Sequence, residues 1–217
     1  MRQVLSIFVA LIAVVTLTGC PTLWQTSVNQ QTETAEQIFK KAEAAFKDKK
    51  YDKAIELYQR IRADYSDFKK APEVYLRLAE IYNNKENYDK AISGYMQFIE
   101  SFPSNKDIPK AKYYVAMSDF KQIRGVDLDN GMVRAAADAF KTLRDDPAAG
   151  EWAKKAGEKY DECLKKLAEK ELYKARTYIS MGKYQAARIA AQRVLDEYGK
   201  LGFEKDAKDL INDVKDK

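Results

Sequence analysis

Two cysteines, Cys20 and Cys163, and no histidine define the reactive chemistry open to this chain. Without imidazole the His-dependent nucleophile triads and the commonest zinc ligand are excluded, leaving a lone thiol or a pair of carboxylates as conceivable catalytic groups. Cys20 has a different chemistry. It follows Leu17-Thr18-Gly19, and ahead of these stand Arg2 and the apolar run 4–17, short for a membrane span but suited to the apolar part of a signal peptide. A small residue before the cut and a thiol after it make a lipobox. Residues 1–19 are therefore expected to be removed, and Cys20 to become the new N-terminus carrying a thioether-linked diacylglycerol. Each buried acyl methylene contributes about 0.8 kcal/mol, so two or three chains hold a protein on a membrane essentially permanently. Pro21 and Thr22 follow in place of the aspartate of an inner-membrane retention signal, which points to the periplasmic face of the outer membrane.

The remaining candidates for chemistry are weaker. Cys163 is the only thiol left after lipidation, so no intramolecular disulfide can form and packing must hold the fold. The local carboxylate pairs, Glu158 with Glu162 and Asp145 with Asp146, lie in charged contexts with no apolar pocket to separate their pKa values. The sequence therefore points away from an enzyme. A loop holding Gly125, Asp127, Asp129, Asn130 and Gly131 has acids broken up by Val126 and Leu128 and no closing glutamate, so it does not fit calcium. No metal or cofactor is expected. The 38 basic and 33 acidic residues are interspersed, giving a net charge of +5. That pattern reads as a solvated helical surface, without the aromatic-basic groove of a nucleic-acid binder.

The elements that must position any binding residues are repeats. Tyr51-Asp52-Lys53-Ala54-Ile55 recurs as Tyr88-Asp89-Lys90-Ala91-Ile92, a spacing of 37 residues (from 51 to 88), and more loosely as Tyr184-Gln185-Ala186-Ala187. Upstream of the first two lie Ile38, Ala42, Ala45 and Phe46, and then Tyr75, Leu78, Ala79 and Tyr82, at helical offsets. Downstream, Ala54, Tyr58 and Ile61 match Ala91, Tyr95 and Phe98, and Pro103 closes the second unit. Each unit reads as a helix-turn-helix in which Ala42, Ala54, Ala79 and Ala91 let the helices approach and aromatics fill the space between them. A third unit carries Ala111, Ala116 and Phe120, then, after the acidic loop, Ala136, Phe140 and Leu143. The fourth opens with a long helix over 151–181, about 45 Å of it, stopped by Gly182 and followed by a helix with Ala187, Ala191, Val194 and Leu195. Acid-first pairs Glu151–Lys155, Asp161–Lys165 and Glu162–Lys166 support the long helix, and an amphipathic segment over 203–214 covers the end. The pattern of small residues in both helices, an aromatic one turn later and a terminal proline resembles the tetratricopeptide repeat, so the expected fold is an all-α tetratricopeptide-repeat helical solenoid of about four helix pairs plus a C-terminal capping helix. Its divisions are a signal peptide (1–19), a lipidated tether (20–34), three N-terminal repeats (35–147), and a half holding the long helix, the fourth repeat and the last helix (148–217).

Lys166-Leu167-Ala168-Glu169-Lys170-Glu171-Leu172-Tyr173-Lys174-Ala175-Arg176, followed by Gly182-Lys183-Tyr184-Gln185-Ala186-Ala187, resembles the BamD (ComL, YfiO) family of lipoproteins. The resemblance extends to the order of units and to the lipobox, and covers nearly the whole mature chain. It departs at Tyr65-Ser66 and Tyr198-Gly199, where relatives carry Tyr-Pro, at Ile189-Ala190, where many carry Asn-Arg, and at Tyr114-Val115-Ala116-Met117, where the usual motif is Met-Arg-Gly-Leu. The chain also ends after one helix of a fifth unit.

Stacked helix pairs form a solenoid whose first helices line a groove for extended peptides. The expected lining is Glu43, Phe46 and Lys47 from the first unit, Leu76, Glu80, Asn83 and Asn84 from the second, and Met117 and Phe120 from the third. Amides could hold a peptide backbone, Lys47 a terminal carboxylate, and the apolar residues aromatic side chains. The resemblance implies that this groove engages C-terminal targeting segments of unfolded outer-membrane β-barrel proteins. It implies that the C-terminal half docks on periplasmic domains of the BamA insertase, with other Bam lipoproteins as further partners. Arg176, Arg188 and Arg193 are the docking candidates, since arginine supplies forked hydrogen bonds to carboxylates. A type IV pilus pilotin, another lipidated tetratricopeptide protein, is the competing reading. The interrupted third unit, the long fourth helix and Glu171-Leu172-Tyr173 argue against it.

Overall fold

The computed structural model describes residues 33–123 and 130–217. Among these residues there are nine α-helices and no strand: α1 (Ala35–Lys47), α2 (Tyr51–Asp64), α3 (Ala71–Asn84), α4 (Tyr88–Ser101), α5 (Ile108–Gln122), α6 (Asn130–Arg144), α7 (Glu151–Ser180), α8 (Tyr184–Tyr198) and α9 (Glu204–Asp213). Cys20, the signal segment and the acidic-loop positions Gly125, Asp127 and Asp129 lie outside the described residues. None of the described helices is long and apolar enough to cross a membrane.

Local chemistry sets the ends. The Thr34 hydroxyl accepts from the Gln37 amide at 3.3 Å while the Gln37 side chain accepts from the Thr34 amide at 2.9 Å, a capping box that starts α1. Pro72 and Pro109 sit in the first turns of α3 and α5, where a missing N–H costs nothing. The turns inside three units share one geometry. Lys49, Glu86 and Gly182 all have φ near +60°, at 57°, 56° and 70°. The following amides, of Lys50, Asn87 and Lys183, reach back to the carbonyls of Ala45, Tyr82 and Tyr178 at 2.8–2.9 Å. This is the left-handed helix stop, used three times and given a glycine once.

Each helix packs chiefly on its neighbours in sequence, as in a one-dimensional stack. The alanines read as contact points, Ala42, Ala54, Ala79 and Ala91, are all fully buried, with Tyr58, Tyr95 and Phe98 filling the space beside them. Helix α7 has two roles. Its first part packs on α6 and its second on α8, and one apolar cluster runs from Ala116 through Phe140, Cys163 and Leu167 to Tyr198 and Ala207. The core is thus continuous across position 147. Of the three supporting pairs expected on α7, Glu151–Lys155 forms at 3.3 Å, whereas Glu162 turns to Lys159 at 2.7 Å. Lys166 instead stands 5.7 Å from the centroid of the Phe120 ring.

Candidate functional site

The first helices of the three N-terminal units, α1, α3 and α5, are tied by a run of charged side chains along one face. Arg77 on α3 is its centre. Its Nε and Nη2 donate to the two oxygens of Glu43 on α1 at 2.9 and 3.4 Å, and its Nη1 donates to Glu80, one turn on, at 2.7 Å. The other oxygen of Glu80 accepts from Lys110 on α5. Behind Glu43, the buried Tyr58 hydroxyl on α2 donates to the same carboxylate. The Arg77 guanidinium also stands 4.8 Å from the centroid of the Phe46 ring, and Phe46 leans on Tyr51 at 6.3 Å.

These partners set the ionisation of the face. Burial pushes the Glu43 carboxyl up, but the hydrogen bonds from Arg77 and Tyr58 outweigh it and leave the group below its ordinary range. Burial, and then Glu43 itself, raises the Tyr58 phenol well out of reach of neutral pH. The Tyr95 phenol is raised likewise, by burial first and by the charge of Glu80 second.

The sequence-predicted groove residues separate into three groups. Glu43, Phe46 and Glu80 are brought together by Arg77, with Lys110 completing the set. Lys47 and Asn84 are exposed on the same two helices, and Asn83 is half-buried with an Oδ1 that has no hydrogen-bond partner. Leu76, Met117 and Phe120 belong to the interior instead. Leu76 is 6 % exposed and packs among Ala79, Tyr95 and Phe98, so a peptide on the face could not reach it. Met117 is half-buried against the third cluster, and Phe120 lies within that cluster with Phe140 at 6.1 Å. Sequence reasoning missed Arg77 and Lys110. No helical period points to them, because the carboxylates they bind across units lie 34 and 30 residues away.

At the other end, Arg176 is exposed and makes no ion pair among the described residues. Arg188 donates to Gln185 at 2.8 Å, and Arg193 reaches Glu171 at 3.4 Å. Tyr173, Met181 and Ile189, on or just after the same two helices, are each about half exposed. Tyr173 and Arg176, three residues apart, share a face of α7. This apolar component was absent from the sequence-based candidates.

The catalytic alternatives gain little. Arg144 forks onto Asp145 at 2.8 and 3.2 Å, and that hydrogen bonding holds the carboxyl below its usual range. Glu158 is exposed, and Glu162 is occupied by Lys159. Among the described residues, no group of three or more potential ligands could hold a metal ion.

A family model described as YfiO, outer membrane lipoprotein, matches residues 31–213. No curated protein sequence matches the chain. Among solved structures, a thermophilic TPR protein of Thermus thermophilus is similar at 16 % identity and a TM-score of 0.43, over 83 % of this chain and 98 % of its own. A protein of Bacteroides ovatus is similar at 18 % identity and a TM-score of 0.35, over 84 % and 96 %.

Proposed function

Because the chain belongs to the YfiO family of outer membrane lipoproteins, we propose that it is a non-enzymatic subunit of the β-barrel assembly machinery, anchored through Cys20 to the periplasmic face of the outer membrane. In this reading its N-terminal repeats hold C-terminal segments of unfolded outer-membrane barrel proteins, and its C-terminal half docks on the periplasmic domains of a BamA-type insertase.

The observation that carries the peptide-binding half is the face of α1, α3 and α5. It presents both charges, an aromatic ring at Phe46 and the exposed amide of Asn84. An extended peptide needs such groups for its backbone and its end. The docking half is supported by the exposed apolar residues Tyr173, Met181 and Ile189 of α7 and α8, Tyr173 sharing a helix face with Arg176. With α7 shared between the third and fourth units, the α5 end of the N-terminal repeats and the C-terminal half share one apolar cluster.

Affinity purification of the lipidated chain, tagged at its C-terminus, from solubilised envelopes tests the assignment. Stoichiometric recovery of a barrel insertase bearing periplasmic repeat domains is the expected result. Recovery of a secretin in its place would overturn it in favour of a pilotin.

A further inference from the structure

Two consecutive units use the same parts and differ in one hydrogen bond. Glu80 and Tyr95 stand 37 residues after Glu43 and Tyr58, at the same places in the repeat. In the first unit the tyrosine hydroxyl donates to the glutamate. In the second, the Tyr95 hydroxyl has no partner, although the side chain is fully buried. The two carboxylates differ in their cations: both oxygens of Glu43 accept from Arg77 and one also takes Tyr58, whereas Glu80 is shared between Arg77 and a second cation, Lys110. A buried donor without an acceptor is costly, and natural interiors hold few. Among the described residues the only other buried side-chain polar atom without a partner is Oδ1 of Asn83, one turn beyond Glu80 on α3. Asn83 follows Glu80 by one turn, and Tyr95 is near enough for the Glu80 charge to act on its phenol.

We propose that Lys110, Glu80 and Tyr95 form a carboxylate-exchange site in the peptide-binding face. A carboxylate on an incoming peptide takes the Lys110 ammonium from Glu80, and Glu80, still held by Arg77, accepts from the Tyr95 hydroxyl as Glu43 already accepts from Tyr58. Lys110 is a quarter exposed and can meet a ligand, whereas Tyr95 cannot. No covalent bond changes and no proton leaves a residue. The exchange replaces one charge-assisted bond with another and satisfies a hydroxyl that is otherwise stranded, so the free protein stores part of the drive for binding. The inference rests on the peptide-binding reading given above and names the group that the site takes, a carboxylate, from either the peptide's end or an acidic side chain.

The test is the affinity of the full-length chain in detergent for a fluorescent peptide copying the last strand of an outer-membrane barrel protein, made as the free acid and as the C-terminal amide. A second pair has its Asp and Glu changed to Asn and Gln. The free acid should bind about tenfold more tightly than the amide, as one charge-assisted bond implies. Tyr95→Phe should lose most of that ratio while its melting temperature holds or rises, because the variant removes an unsatisfied group. Loss of a structural support would instead lower both. Tyr58→Phe, the equivalent change one unit earlier, should lower the melting temperature and leave the ratio alone. An affinity that falls only with the peptide's side-chain acids supports the site with that source of carboxylate. Tight binding unaffected by either carboxylate change or by Tyr95→Phe would overturn the exchange site and leave the peptide face standing. No binding to the wild-type chain would overturn both.

Discussion

Arg193 on α8 donates to the Glu171 carboxylate on α7 at 3.4 Å, and that carboxylate, only 2 % exposed, is held at its other oxygen by Lys174 at 2.7 Å. An arginine that could dock a partner is thus already in use inside the fourth unit. Arg193→Ala leaves a nearly buried charge one donor short, which should cost about 1–2 kcal/mol. Arg176→Ala removes an exposed cation with no ion pair among the described residues and should stay within about 0.5 kcal/mol of the wild type. Thermal or urea denaturation of the two variants makes the comparison, and equal stabilities would show that the Arg193 bridge carries none. A loss of partner binding speaks for contact more directly in the Arg176 variant.

The contrast shows where sequence reading reached and where it stopped. Ala42, Ala54, Ala79 and Ala91 were legible because a small residue repeated at a fixed register has one physical use, close approach of helices, and all four are buried. Leu76 was misplaced because a repeat helix buries one flank against its partner and another against the next unit. The wheel position of Leu76, one turn before Glu80, does not say which side of that boundary it takes. Arg77 and Lys110 were invisible for a different reason. Their bonds to Glu43 and Glu80 span 34 and 30 residues, and such pairs depend on how units stack rather than on the period of any helix.

The shared turn gives a signed prediction. Glu86 sits at φ 56° at the position where Gly182 sits at 70°, and a side chain there strains the backbone whereas glycine does not. Glu86→Gly should raise stability by about 0.5–1 kcal/mol, and Gly182→Ala should lower it by about as much. Urea midpoints of both variants read the effect. A fall with Glu86→Gly would mean that the side chain, and not the backbone, governs the turn.

Gly94 on α4 faces Ala79 on α3, and a Cβ built there would lie 3.0 Å from the alanine's own Cβ. That Cβ and the Ala79 Cα, 3.3 Å away, are not the free end of a flexible chain, so the helices must separate. Gly94→Ala should therefore destabilise by about 1–3 kcal/mol despite the better helix propensity of alanine. Gly94→Ala combined with Ala79→Gly should recover much of the loss, and failure to do so would locate the strain elsewhere.

Stability should also fall in acid through Glu43. Its folded pKa lies below the ordinary value of 4.5, so its contribution is complete above that value and is lost as pH falls through the lower, folded one. Glu43→Gln should be less stable than the wild type at neutral pH, with the gap closing below pH 4.5. Denaturation midpoints at several pH values between neutrality and acid give the difference curve, which removes the shared titration of exposed carboxylates. A gap independent of pH would show that Arg77 does not depend on the charge of Glu43.

The thiols connect the fold to the anchor. Cys163 is fully buried in the cluster beneath α7, and burial pushes its thiol up to about 12. The thiolate is the reactive species, so at about pH 8 the native chain should be inert to a disulfide reagent, and labelling should follow unfolding. In denaturant the count then reports on Cys20. Protein purified from envelopes should release the colour of one thiol per chain, because the thioether at Cys20 is blocked, whereas protein made without the signal segment but keeping Cys20 should release two. Two reactive thiols in the envelope protein would remove the lipid anchor and with it the localisation proposed here. Rapid labelling of the native chain would show that the α7 cluster opens far more often than a close-packed interior allows.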